Sequence, residues 1–230
     1  MRIPKYVRAL TPSLGIRSLG RWVVFGVLIG LVSGLGAALF HVLLSGVGYV
    51  VFDVLAGAPL SHPEGEVLFH SDGPHELVPW LFFLLPAIGG LAAGIIVQRF
   101  APEAGGVGTE ALIEAFHKKR GQIRTQVPLV KAIATIFTLG FGGASGREGP
   151  IAQIGGGFGS WLARAFKLKP RERRILLLAG AAGGFGAIFR APLGGAVTAV
   201  EVPYREDLET DALVPCVISS VTAYAICINE

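Results

Sequence analysis

From Trp22 to Phe52 the chain runs for 31 residues without a single Asp, Glu, Lys or Arg. A helix needs only about 20 apolar residues to cross a hydrocarbon core of about 30 Å, so this run is long enough to span it even with considerable tilt. It is too long for the core of a signal peptide, and no small-residue cleavage pattern follows it, so it is expected to be retained. The composition agrees: 52% of the 230 residues are hydrophobic and 16% are charged, the profile of a chain whose solvent is the bilayer. The net charge of +4 does not point to nucleic acid, because the basic residues gather beside apolar segments and no nucleic-acid-binding motif accompanies them.

Residues 1–21 form a basic N-terminal segment carrying Arg2, Lys5, Arg8, Arg17 and Arg21. Between Trp22 and Gln98 there is then no Lys or Arg. By the positive-inside rule the N-terminus is expected in the cytoplasm, with the loop from about Asp53 to Pro79 outside, as for a multi-pass protein of the plasma (inner) membrane. The second span, "WLFFLLPAIGGLAAGIIV", returns to Arg99. Basic flanks recur at "HKKRGQIR" (117–124) and "RAFKLKPRERR" (164–174), so the apolar segment between them must leave and come back on the same side. It does so as two short pieces meeting at "GGASGREGP". The second piece, 149–163, would be only about 22 Å long as a helix.

Such pieces read as broken or re-entrant helices, because irregular backbone at membrane depth survives only when buried in protein or lining a wet cavity. The segments 175–189 and 191–200, joined at Arg190, repeat the habit, with Pro192 suited to a helix's first turn. Residues 212–228 make a final span, and the expected fold is an all-α polytopic membrane protein. Gly26, Gly30 and Gly34 form a ladder of small residues that lets helices approach closely in lipid. Cys216 and Cys227 stand roughly 16 Å apart on one helix, out of disulfide reach, and read as buried thiols.

Within this apolar background Arg147 and Glu148 form a charged pair flanked by Gly143, Gly146, Gly149 and Pro150. An ionised residue at membrane depth costs at least a few kcal/mol unless it is paired or faces water, which makes an intramembrane glutamate a functional candidate. A helix beginning after "GREGP" would present unsatisfied N–H groups and the positive end of its dipole, which is chemistry for an anion. Glu148 is itself an anion tethered there. It can fill the site when ionised and vacate it when protonated, and so act as a gate.

"GREGP" at 146–150, continued by "IAQIGG" and later by "FRAPLGGAVTAVEV" at 189–202, resembles the CLC family of chloride channels and chloride/proton exchangers. The resemblance covers about residues 21–228 and implies that 22–230 are the N-terminal half of a transmembrane domain built from two inverted repeats. It implies Glu148 as the gating glutamate and places anion-binding backbone at Gly146, Arg147, Gly149 and Ile151, with Arg147 raising the local positive potential. It further implies selective passage of chloride or similar anions without covalent chemistry, so not an enzyme. No cofactor is expected beyond the transported chloride, and the expected assembly is a homodimer with contacts through about residues 192–228.

Three departures qualify what the resemblance implies. The family's other anion-binding turn usually reads "GSGIP", whereas Gly106, Val107 and Gly108 begin "GVGTE" here, replacing the serine hydroxyl with valine. Exchangers commonly carry a glutamate pair near the end of the "APL" helix, and here the pair is Glu201 and Val202, which favours a gated channel over an antiporter. Finally, the second half, with its "GxFxP" turn and pore tyrosine, is not in these residues, so a second CLC half is the expected partner. A non-conducting accessory half that only assembles with another chain is the alternative of a different class.

Other readings are weaker. "GVGTEA" (106–111) formally matches a dinucleotide-binding glycine pattern, but no strand precedes it and no βαβ unit follows. His62, His70 and His75 with Glu64, Glu66, Asp72 and Glu76 lack compact metal-ligand spacing, so no metal is expected. His41 reads as a hydrogen-bonded packing residue, and His117 as a cap near a helix end.

Overall fold

A computed structural model describes residues 16–57, 78–204 and 207–227. Eight α-helices carry the described residues: α1 Ile16–Gly48, α2 Leu81–Phe100, α3 Thr109–His117, α4 Gln126–Gly140, α5 Glu148–Ala165, α6 Pro170–Ile188, α7 Pro192–Glu201 and α8 Thr210–Cys227. No strand occurs among them, so the βαβ unit that a dinucleotide site needs is not present there. Among the described residues three stretches are long and apolar enough to cross a membrane: Gly20–Leu55, Leu81–Phe100 and Thr210–Cys227. By contrast α3, α4 and α7, with 9, 15 and 10 residues, are each shorter than a hydrocarbon core is thick. Broken helices are therefore a property of the fold, though two segments read as short, 149–163 and 175–189, extend into the 18- and 19-residue helices α5 and α6.

The segment at the centre is α6. Every residue from Ile175 to Ala187 is buried, which a helix apolar on all faces requires. It packs on α5, α8, α7 and α1. The glycine ladder of α1 does face a partner: a Cβ built on Gly30 would lie 2.6 Å from the Ser219 carbonyl oxygen of α8. Backbone-to-backbone approach of that kind excludes any larger residue, and it is where dispersion contacts accumulate when lipid removes the hydrophobic drive.

The basic segments, distant in sequence, meet at one end of the molecule. Arg21 pairs with Glu172, Arg124 with Glu103 and Arg171 with Asp211. The Ser160 hydroxyl of α5 accepts the Ile123 N–H at 2.9 Å and donates to the Gly121 carbonyl at 2.8 Å. Pro203 and Tyr204 lie at this same end, since His117 Nε2 donates to the Pro203 carbonyl at 2.7 Å and packs its ring against Tyr204. Exposed ion pairs like these contribute little each, about 0–1 kcal/mol, but they show that one end gathers the positive charge.

One boundary and one burial differ from the sequence reading. The first helix does not stop near Asp53: a π-helical extension, Tyr49–Leu55, carries it on and buries Asp53. Cys216 is buried, but Cys227, in the last turn of α8, is only half-buried. The loop histidines and acids from His62 to Glu76 lie outside the described residues, as does the segment 1–15.

Candidate anion site

The chain between α4 and α5 leaves helical geometry from Phe141 to Arg147, with Gly142 at φ +90°. The helix then starts inside the motif and not after it: Arg147 is the residue before α5, and Glu148 is its first residue. Pro150 is thus in the first turn, where its missing N–H costs nothing. One expected anion contact is corrected by this start. The Ile151 N–H donates to the Arg147 carbonyl at 3.1 Å, the first bond of the helix, so it is committed to the helix. The N–H groups of Glu148 and Gly149 precede that bond and have no intrahelical acceptor.

Forty-one residues earlier a second turn begins α3. Gly106 and Gly108 take φ values of +73° and +105°, conformations that L side chains rarely adopt, and the first bond of α3 runs from the Leu112 N–H to the Gly108 carbonyl at 3.1 Å. The two turns touch backbone to backbone. A Cβ on Gly149 would sit 1.9 Å from the Val107 carbonyl oxygen, and one on Gly108 would sit 2.4 Å from the Gly149 carbonyl oxygen. Two helix N-termini, each with unsatisfied N–H groups, therefore converge where the sequence reading put the two halves of an anion site.

Lys131 of α4 fixes the first of these turns. Its side chain is only 5% exposed, and its ammonium donates to the carbonyls of Ala104 at 3.0 Å and Gly106 at 2.6 Å. The sequence reading passed over this residue, although a single lysine within an apolar run is the same signal that drew attention to Glu148. A buried cation beside the turn adds positive potential where an anion would sit.

Two cavities flank the junction. One, of about 400 Å³, is bordered by Lys131, Thr135, Thr138, Ser145, Val107 and Pro150. The other, of about 410 Å³, is bordered by His41, Ser45, Ser145, Gly146, Arg147 and Glu148. Ser145 borders both, so the 145–150 stretch stands between them. Val107 is 62% exposed and borders the first cavity, where hydroxyls of Thr135, Thr138 and Ser145 offer polar contacts that valine cannot. The Glu148 carboxylate folds back over Gly146, whose missing Cβ would otherwise lie 1.8 Å from Oε2. Glu148 is exposed, Gly149 buried.

Glu201 and Val202 are not part of this cluster. Glu201 is the exposed last residue of α7, and Val202, its C-cap, packs half-buried against the main core. Neither borders either cavity.

Comparison with known proteins adds the following. The family model described as voltage gated chloride channel matches residues 89–229. The chain is 29% identical over 205 residues to a protein named chloride/fluoride channel protein of Pseudomonas syringae pv. tomato, covering 89% of this chain and 40% of that one. It is 39% identical over 129 residues to the H(+)/Cl(-) exchange transporter ClcA of Klebsiella pneumoniae, covering 55% of this chain and 27% of the relative. Among solved structures it resembles a slow cyanobacterial Cl-/H+ antiporter with a TM-score of 0.66 and 25% identity, covering 90% of this chain and 46% of the antiporter's. The chain thus spans less than half the length of each of these relatives.

Proposed function

This chain belongs to the voltage-gated chloride channel family, and from that premise we propose that it supplies one half of an anion pathway gated by Glu148. The observation that carries the reading is the contact between the Gly106–Gly108 turn and the start of α5, with the Glu148 carboxylate exposed at its edge. Two helix N-termini offer N–H donors and positive potential to an anion, at a place where a carboxylate can compete for the same donors. Protonation removes the carboxylate's charge and its claim on those donors, which opens the place to the travelling anion.

Coupled exchange of anion for protons is the form of transport we favour. A relative named as an H(+)/Cl(-) exchanger and a solved Cl-/H+ antiporter both match this chain, and a gate that works by protonation gives the proton a place in the same cycle as the anion. Passive conduction through a gated channel is the second reading, supported by Val202 at the position where exchangers commonly have a glutamate. Chloride is the working substrate, with fluoride or another small anion the competitor, since Val107 removes a hydroxyl from the site. Assembly requires a second half of the same kind, and we place the complete unit as a homodimer in the inner membrane with the basic end in the cytoplasm.

The test is anion efflux from liposomes containing the complete assembly, read together with internal pH. Exchange requires an outward chloride gradient to drive protons inward against their own gradient. It also requires Glu148→Ala to abolish that proton movement while anion flux continues without pH dependence. Wild-type flux with no proton movement establishes the channel reading instead, and Glu148→Ala with unchanged pH dependence removes Glu148 as the gate.

A further inference from the structure

His41 was expected to be a hydrogen-bonded packing residue of the first span, and the structure also sets it on the wall of a cavity. It lies 20 residues beyond Arg21 on α1, about 30 Å along the helix from the basic end. There it borders the same cavity as Glu148. The other ionisable groups on that cavity are Arg147 and Glu148 themselves; from α1 come also Leu44, Ser45 and Gly48, and from α4 only Leu139 and Gly140. With a volume of about 410 Å³ and two serine hydroxyls on its wall, Ser45 and Ser145, the cavity is both roomy and polar enough to hold several waters.

We propose that His41 is the proton-transfer partner of Glu148, exchanging protons with its carboxylate through the cavity the two residues share. The inference rests on the exchange reading above and deepens it. A carboxylate that must be protonated and deprotonated once per cycle needs a donor and acceptor of intermediate basicity within reach. Imidazole, titrating near neutrality and carrying two nitrogens, is the side chain best suited to receive a proton on one and release it from the other. In the inward step an imidazolium nitrogen releases its proton to a cavity water, and that water's proton passes to a Glu148 oxygen. The neutral imidazole then recovers a proton from the adjoining solution. In the reverse step each transfer runs backward, so charge and protons balance over a cycle.

The experiment is chemical rescue in liposomes holding the complete assembly, with anion-driven proton movement as the readout. His41→Ala is expected to slow coupled proton movement by about tenfold or more. Imidazole added on the Glu148 side is expected to restore it, whereas pyrazole, of the same shape but far less basic, is not. His41→Gln, which keeps a polar side chain for packing, is expected to show the same defect and to change the dependence of coupled rate on pH. If wild type couples protons and either His41 variant keeps the wild-type rate and pH profile, the proposal is overturned while the exchange reading stands. A slow His41→Ala that imidazole and pyrazole rescue equally, or that neither rescues, assigns His41 to packing and also overturns it. Wild-type anion flux without proton movement overturns the exchange reading, and this inference falls with it.

Discussion

Gly149→Ala is the sharpest structural test of the junction between the two turns. The added Cβ would lie 1.9 Å from the Val107 carbonyl oxygen, 2.8 Å from its carbon and 3.0 Å from Cγ1 of the same residue. An ordinary van der Waals contact is about 3.4 Å, so the two backbones must separate by roughly 1.5 Å, and neither is a flexible side chain that can swing aside. The first turn is tied to Lys131 through Ala104 and Gly106, and Gly149 is buried within α5, so the strain has no cheap outlet. Overpacking of this kind costs about 1–3 kcal/mol, and displacing a binding group by about 1 Å can cost about a hundredfold in rate. The expected result is a lower melting temperature in detergent and anion flux reduced by about 10- to 100-fold. Gly20→Ala is the control: its Cβ meets nothing within 4 Å, and alanine in place of helical glycine is expected to be neutral or to stabilise by up to about 1 kcal/mol. If Gly149→Ala keeps wild-type flux and stability, the two turns are not held in contact and the site as described is wrong.

Lys131→Met keeps the length of the side chain and deletes its charge. Losing two charge-assisted bonds costs about 1.5–3 kcal/mol each, but returning a buried ammonium to no charge relieves a desolvation cost of several kcal/mol, so global stability should change little. Anion affinity by calorimetry should instead fall by about tenfold or more, and an unchanged affinity removes Lys131 from the site's electrostatics. Val107→Ser restores a hydroxyl toward the Lys131 cavity and should strengthen chloride binding by about 1.5 kcal/mol or more; calorimetry showing no change takes Val107 out of the site. At the basic end, the Tyr204 hydroxyl donates to Glu209 at 2.6 Å, and that bond first, then burial, then the carboxylates of Glu209 and Asp207, push the phenol up to about 12. Because the folded value lies above the ordinary value of about 10, the bond's contribution is complete below that pH and is lost as pH rises toward 12. Tyrosinate absorbance, compared with Tyr204→Phe, should show this phenol ionising above the ordinary value; ionisation at the ordinary value contradicts the bond.

Much of the architecture was legible because lipid imposes simple rules. Uninterrupted apolar length marks Gly20–Leu55 and Leu81–Phe100 as spans, and glycine with proline marks the breaks before Glu148 and Pro192. The start of α5 was misplaced by three residues because the helix was read as following Pro150, whereas any position in a first turn tolerates a missing N–H. That shift commits the Ile151 N–H and leaves those of Glu148 and Gly149. The resemblance implied two anion-binding turns but not the contact of Gly108 with Gly149. Local pattern cannot supply it, since it depends on how α3 and α5 pack against the rest of the fold. Lys131 and Ser145 were missed for different reasons. Lys131 carried a clear signal, a charge inside an apolar run. Ser145 carried none, because a serine in a glycine-rich loop is ordinary until the cavities on either side of it are seen.

The central claim is that an anion binds where the Gly106–Gly108 turn meets the start of α5, in competition with the Glu148 carboxylate. Bromide diffraction from crystals of the complete assembly tests it most directly, using the anomalous signal of the ion to locate it. The account predicts a bromide peak within hydrogen-bonding reach of the N–H groups at this junction, stronger in Glu148→Gln than in wild type. Bromide bound elsewhere, with this junction empty in both proteins, would contradict it.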